Sequence, residues 1–190
     1  MKRGLIVLLA AATWGLATAG SASAQMDTRS IMDPNFHLPF GGANPIPRTT
    51  VNFPENYAPG PIAINPRERR LDRVPPKRRA PRYGIGVGRD GFRWSGTHRI
   101  TAKKEWPDWT PPSQMLRRRP DLPRHMKGGI DNPLGARAMY LGSTLYRIHG
   151  SNEPETIGQA VSSGCFRMTN DDVTDLYSRV PVGTTVVVKN

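Results

Sequence analysis

Apolar and polar positions divide the chain into three textures. A short apolar run over residues 5–12, continued by Trp14 and Leu16, follows a basic start at Lys2 and Arg3. Thr13, Gly15 and Thr18 dilute the run, and Ala22-Ser23-Ala24 places small residues at the −3 and −1 positions of a cleavage point. This pattern predicts a secretory signal over residues 1–24 rather than a retained anchor. Residues 25–60 lack apolar periodicity and are punctuated by Pro34, Pro39, Pro45, Pro47, Pro54, Pro59 and Gly41-Gly42. Such a stretch buries too little apolar surface to offset its ordering entropy and reads as a flexible or extended linker. Residues 61–190 alternate, and strands are predicted at 62–65, 83–88, 96–101, 138–141, 144–148 and 184–188 from period-two patterning and β-branched content. One helix is predicted over 171–179. Thr169 is its N-cap and Asp172 completes a capping-box pattern; Val173, Leu176, Tyr177 and Val180 form the apolar stripe, and Pro181 and Gly183 stop it. Residues 103–129 hold Trp106, Trp109, several prolines and Arg117-Arg118-Arg119 without a period, which predicts a lid-like excursion with a short helix near 113–119.

Composition then narrows the chemistry. The formal net charge is +12, with basic runs at Lys77-Arg78-Arg79 and Arg117-Arg118-Arg119. Export argues against a nucleic-acid partner and leaves anionic wall polymer, lipid headgroups or a plain solvated face. No stretch after the leader is able to span a bilayer, so no membrane span is expected after cleavage. Cys165 is the only cysteine. In an oxidising compartment an unpaired cysteine is an intermolecular bridge or a reactive thiol, set against a buried inert one. It stands just before the predicted helix, on a glycine-containing loop whose backbone N–H groups favour a thiolate. A cysteine nucleophile needs a base. Of His37, His98, His125 and His149, the last ends a predicted strand and is the best placed to be held rigidly. The histidines lack metal-ligand spacing, and neither a metal nor an organic cofactor is expected.

The segment IHGSNEPETIGQAVSSGCFRMTNDDVTDLYSRVPVGTTVVV, residues 148–188, resembles the end of an L,D-transpeptidase (YkuD-type) catalytic domain, with His149-Gly150, Ser162, Gly164, Cys165, Phe166 and Arg167 matching the pattern. Upstream, residues 83–88 and the Asn132-Pro133-Leu134-Gly135 segment are similar to the family as well. The resemblance covers residues 61–190 and implies a mainly β fold of mixed sheets, sandwich- or barrel-like, with one packed C-terminal helix and an irregular lid. It implies Cys165 as nucleophile, His149 as base, and the Gly150 carbonyl as the group that fixes the imidazole tautomer. Backbone N–H groups of Ser163, Gly164 and Cys165 would form the oxyanion hole, and Arg167, Tyr140 and Ser162 would contact substrate. Arg167 is equally read as a salt bridge within the fold, and Tyr140 as a core residue. Two departures stand out: Ser163 where the family has histidine, and Asp72 where it usually has an apolar or aromatic residue. The implied reaction is acyl transfer from a peptidoglycan tetrapeptide stem, through a thioester, to an amine in the periplasm. That amine would belong to another stem peptide, giving a 3→3 crosslink, or to an outer-membrane protein. The alternatives are an L,D-carboxypeptidase using water and a non-catalytic peptidoglycan-binding module.

Overall fold

A computed structural model of the chain describes residues 44–52, 60–74 and 79–189; the predicted signal over 1–24 and most of the linker lie outside them. The described strands are β1 (Thr49–Asn52), β2 (Ile62–Asn65), β3 (Arg70–Arg73), β4 (Arg79–Gly84), β5 (Val87–Gly88), β6 (Gly96–Glu105), β7 (Arg137–Leu141), β8 (Arg147–His149), β9 (Ala160–Ser162), β10 (Phe166–Arg167) and β11 (Thr185–Val188). Two α-helices accompany them, α1 (Ser113–Arg118) and α2 (Asn170–Arg179). The fold is mainly β: one mixed sheet runs β1-β4-β3-β2-β11-β6-β7-β8-β10, and β5 pairs with β9 separately. The β2–β11, β8–β10 and β5–β9 pairs are parallel.

Burial follows the period of each element. In β2, Ile62 and Ile64 are buried while Ala63 and Asn65 are half-buried, and in β11 Val186 and Val188 are buried. The register sets Val186 beside Ile62 and Val188 beside Ile64, so the two apolar rows join in one core. The stripe of α2 buries Val173 and Leu176, and Val180 follows at the C-cap. Thr169 Oγ1 accepts from the Asp172 N–H at 3.2 Å, as a capping residue should. Lys103 Nζ, on β6, donates to the carbonyls of Tyr177 and Val180 at 2.7 and 2.8 Å and satisfies the other end of α2.

Several boundaries differ from the sequence expectation. β6 continues to Glu105 and absorbs the first residues of the excursion. The strand expected at 144–148 begins only at Arg147, because residues 142–146 turn: Leu141 N–H donates to the Tyr146 carbonyl at 3.1 Å, and Thr144 Oγ1 donates to the Leu141 carbonyl at 2.6 Å. Residues 44–52, within the stretch read as linker, are docked: β1 pairs with β4, Asn44 Nδ2 donates to Asp172 at 2.7 Å, and Arg48 meets Asp175 at 2.7 Å. Asp72 does not disturb its hairpin, since Arg82 on β4 forks onto both carboxylate oxygens at 2.8 Å.

The excursion forms a closed loop. Trp109 and Met126 exchange backbone hydrogen bonds of 2.8 Å at its base. Asn132, 1 % exposed, reaches back with Nδ2 to the carbonyls of Pro107, Met126 and Lys127 at 3.2, 3.3 and 2.9 Å. Its Oδ1 accepts from Leu134 N–H at 2.9 Å, so one buried amide ties the lid to the start of β7.

Candidate active site

The parallel register of β8 and β10 pairs Ile148 with Phe166 and His149 with Arg167. Ile148 and Phe166 point into the core, where both are buried. Side chains alternate along a strand, so Arg147, His149, Cys165 and Arg167 take the other face. All four line a cleft of about 1050 Å³, roofed by the excursion through Trp109, Met115, Arg118 and Leu122.

His149 is 4 % exposed. Its Nδ1 donates to the Gly150 carbonyl at 2.6 Å, which leaves Nε2 as the acceptor nitrogen. Gly150 is held in turn: Asn170 Oδ1, at the start of α2, accepts from Ala136 N–H at 2.8 Å and fills the space a side chain at Gly150 would need. Burial draws the imidazole from 6.5 down to about 3; the Arg167 charge adds to the fall, the Gly150 carbonyl opposes it and Arg147 adds again. Burial also pushes the Cys165 thiol above its ordinary 9.0, against the pull of Arg147 and Arg167. The two groups therefore rest as neutral thiol and neutral imidazole.

The loop that carries Cys165 is tightly tied. Ser162 Oγ donates to the Cys165 carbonyl at 2.6 Å and accepts from the Gly164 N–H at 3.1 Å. Gly164, expected to lend an oxyanion donor, thus has its N–H occupied. The N–H groups of Ser163 and Cys165 have no acceptor among the described residues and are the remaining donors. Gly164 has φ +109, a conformation that favours glycine, and Tyr146 packs where its side chain would be. Trp94, stacked on Tyr146 at 4.5 Å between centroids, donates Nε1–H to the Gly164 carbonyl at 2.8 Å.

Of the residues expected to contact substrate, Arg167 and Ser162 line the cleft and Tyr140 does not. Arg167 is engaged by Glu153 at 2.9 Å, which makes it a strut of the cleft wall. Tyr140 is not part of the cleft lining and supports the Arg147 guanidinium, 5.0 Å from its ring centroid. Ser162 is buried and serves the loop's own backbone. Arg147 and Trp94 escaped the sequence reading; the signal for Arg147 was its place two residues before His149, on the same face of a strand. Among the described residues no group of three or more His, Cys, Asp or Glu side chains is placed to hold a metal ion.

The family model described as the L,D-transpeptidase catalytic domain (YkuD) matches residues 60–188. The chain belongs to that family. Among curated relatives, the Probable L,D-transpeptidase ErfK/SrfK of Escherichia coli K12 is 38 % identical over 161 residues, covering 80 % of this chain and 50 % of that protein. The chain thus spans about half the length of such relatives. An L,D-transpeptidase structure from Mycobacterium smegmatis superposes with a TM-score of 0.56 at 17 % identity, covering 69 % of this chain and 58 % of the other, which shows the shared fold. A Brucella melitensis structure is 44 % identical over 85 % of this chain and 99 % of its own, with a TM-score of 0.50. That protein bears the name probable carnitine operon oxidoreductase caia, which describes it alone. The L,D-transpeptidase fold here sets His149 at the end of β8 and Cys165 just before the adjacent β10, with no helix among the described residues long and apolar enough to cross a membrane.

Proposed function

We propose that the protein is a periplasmic L,D-transpeptidase, delivered by the signal at residues 1–24, that acylates Cys165 with a peptidoglycan tetrapeptide stem and passes the acyl group to an amine. The observation that carries this reading is the shared cleft face of Cys165 and His149, with the Gly150 carbonyl fixing the imidazole so that Nε2 is the proton acceptor. As the sulfur attacks the diaminopimelate carbonyl, a C–S bond forms and the thiol proton passes to His149 Nε2. The negative oxygen is met by the N–H groups of Cys165 and Ser163. Collapse breaks the C–N bond, and His149 returns its proton to the departing D-alanine nitrogen. An acceptor amine, from a second stem peptide or an outer-membrane protein, then attacks the thioester and gives its surplus proton to His149, and the thiol is restored.

A neutral starting pair suits this sequence, since the proton moves only when the substrate carbonyl arrives. The test is acyl-enzyme formation by intact-protein mass spectrometry with a defined tetrapeptide, followed by amine transfer. Cys165→Ala abolishes the adduct, and His149→Ala lowers turnover nearly as far, since nucleophile and base act as a unit. Equal turnover by wild type and Cys165→Ala would remove the reading. Binding without any adduct in the wild type would instead identify a wall-binding module, and hydrolysis without transfer an L,D-carboxypeptidase.

A further inference from the structure

Five arginines line the cleft: Arg89, Arg118, Arg119, Arg147 and Arg167. Arg167 is matched by Glu153 at 2.9 Å, and Arg119 by Asp121 at 2.9 and 2.6 Å. Arg89 and Arg118 meet no carboxylate among the described residues. Both guanidiniums instead lie over one ring, that of Phe92, at 4.4 and 5.0 Å from its centroid. They come from different elements: Arg89 follows β5, and Arg118 is the last residue of α1 in the lid.

The Phe92 turn is fastened to the nucleophile loop. Arg89 N–H donates to the Ser162 carbonyl at 3.1 Å, Arg118 donates to Ser163 Oγ at 3.5 Å, and the Phe92 carbonyl packs against Gly164. Three consecutive residues before Cys165 are therefore each touched by one member of this cluster. A guanidinium laid on an aromatic face keeps its N–H edge free, and that edge matches a carboxylate with two parallel hydrogen bonds. The ring also holds both side chains in place beforehand, so little freedom is lost when an anion enters. Two like charges at one ring repel each other, and a carboxylate beside them relieves that repulsion.

We propose that Arg89 and Arg118, set on Phe92, form a carboxylate clamp that grips a free carboxylate of the peptide substrate and orients the scissile carbonyl on Cys165. This rests on the stem-peptide substrate proposed above and adds which part of it is read. Two sources share the chemistry: the terminal carboxylate of the residue that leaves, three bonds beyond the attacked carbonyl, and the free carboxylate of an internal residue.

Calorimetry on the Cys165→Ala protein, which does not react, separates the sources with three peptides: the tetrapeptide, its terminal amide, and a version amidated at the internal carboxylate. One amide binds about tenfold more weakly than the parent, or worse, and identifies the carboxylate that is held. Arg118→Ala and Arg89→Ala, each added to Cys165→Ala, close that gap, and Arg118→Lys, which keeps the charge without the fork, leaves a smaller gap than the parent protein. Circular dichroism confirms that each variant is folded, and the lysine variant carries the test should an alanine variant not be. Equal binding of all three peptides, or a gap that persists in the arginine variants, overturns the clamp. Acyl-enzyme forming equally well from the acid and from both amides refutes the clamp and leaves the transpeptidase reading standing. Selective binding of the acid with no acyl-enzyme in otherwise wild-type protein does the reverse.

Discussion

Arg147 is the residue whose chemistry departs furthest from a passive wall. Extending the β8–β10 register by one step sets it beside Cys165. Its guanidinium is fixed by the Tyr140 ring and by a 3.1 Å hydrogen bond to the Leu145 carbonyl, the same carbonyl that the Cys165 thiol faces at 3.7 Å. Its Nε is buried without a partner among the described residues. Of the groups that pull the thiol down against burial, the Arg147 charge is the largest. Replacing it by glutamine keeps the bulk and removes that pull, so the thiolate forms at still higher pH. The expected outcome is an iodoacetamide alkylation rate that is still climbing past pH 9 in the wild type and a profile displaced to higher pH in Arg147→Gln. A coincident pair of profiles would show that the guanidinium does not reach the sulfur.

At the scale of elements, the Cys165 loop depends on a bond it does not own. Trp94, just ahead of β6, donates to the Gly164 carbonyl. That carbonyl belongs to the peptide unit whose N–H is that of Cys165, and in a planar trans peptide the two point in opposite directions. Trp94 therefore aims the Cys165 N–H, one of the two donors proposed above for the oxyanion. Trp94→Phe keeps the stacking on Tyr146 but loses the hydrogen bond; kcat should fall about tenfold, the loss expected for about 1.4 kcal/mol, with KM little changed. Steady-state kinetics with a circular-dichroism check would decide it. None of this was visible in the sequence, because Trp94 and Gly164 are 70 residues apart. What could be read there was local or repeated: the Thr169 cap, the Val173–Leu176 stripe, the alternation in β2, the glycine-bounded cysteine. β3 shows no strand pattern of its own, because Arg70–Arg73 offers one apolar side chain in four, and only the family resemblance put a hairpin there. β9 and β10 are three and two residues long, too short to show a period, and exist only through their partners. The occupied N–H of Gly164 escaped too, because a serine hydroxyl two residues away competes for it. The Cys165–His149 pairing came from the resemblance to a known family, and the strand register then supplied its geometry.

For the molecule as a whole, the cost of keeping His149 neutral should appear as a loss of stability in mild acid. Folded His149 holds its proton only near pH 3, against an ordinary value of 6.5. Above pH 6.5 both folded and unfolded chains carry it neutral, and it has no effect on stability. Below 6.5 the unfolded chain takes up a proton that the folded chain refuses, so stability declines with falling pH until about pH 3. The lowered carboxylates act elsewhere. Asp175, held down by Arg179, Tyr83 and Arg48 against its burial, and Asp121, held down by Arg119, both start from 3.8, so the stability they lend is lost only at lower pH. Asp172 is raised by burial and works in the opposite direction, its protonation favouring the fold as pH falls. Between pH 6.5 and 4.5 His149 is the group that withdraws stability, and Asp172 opposes it toward the acid side. Two pH units correspond to about 2.7 kcal/mol, or roughly 5–10 °C in melting temperature for a domain of this size. His149→Gln cannot take the proton, and its amide keeps a donor for the Gly150 carbonyl. Thermal melts at pH 7, 5.5 and 4.5 should show the wild type losing stability steadily and the variant changing far less, the two curves converging toward acid. Parallel declines would place the acid sensitivity in other groups and would mean that His149 accepts a proton in the folded cleft, which would in turn allow an imidazolium beside Cys165 before substrate arrives.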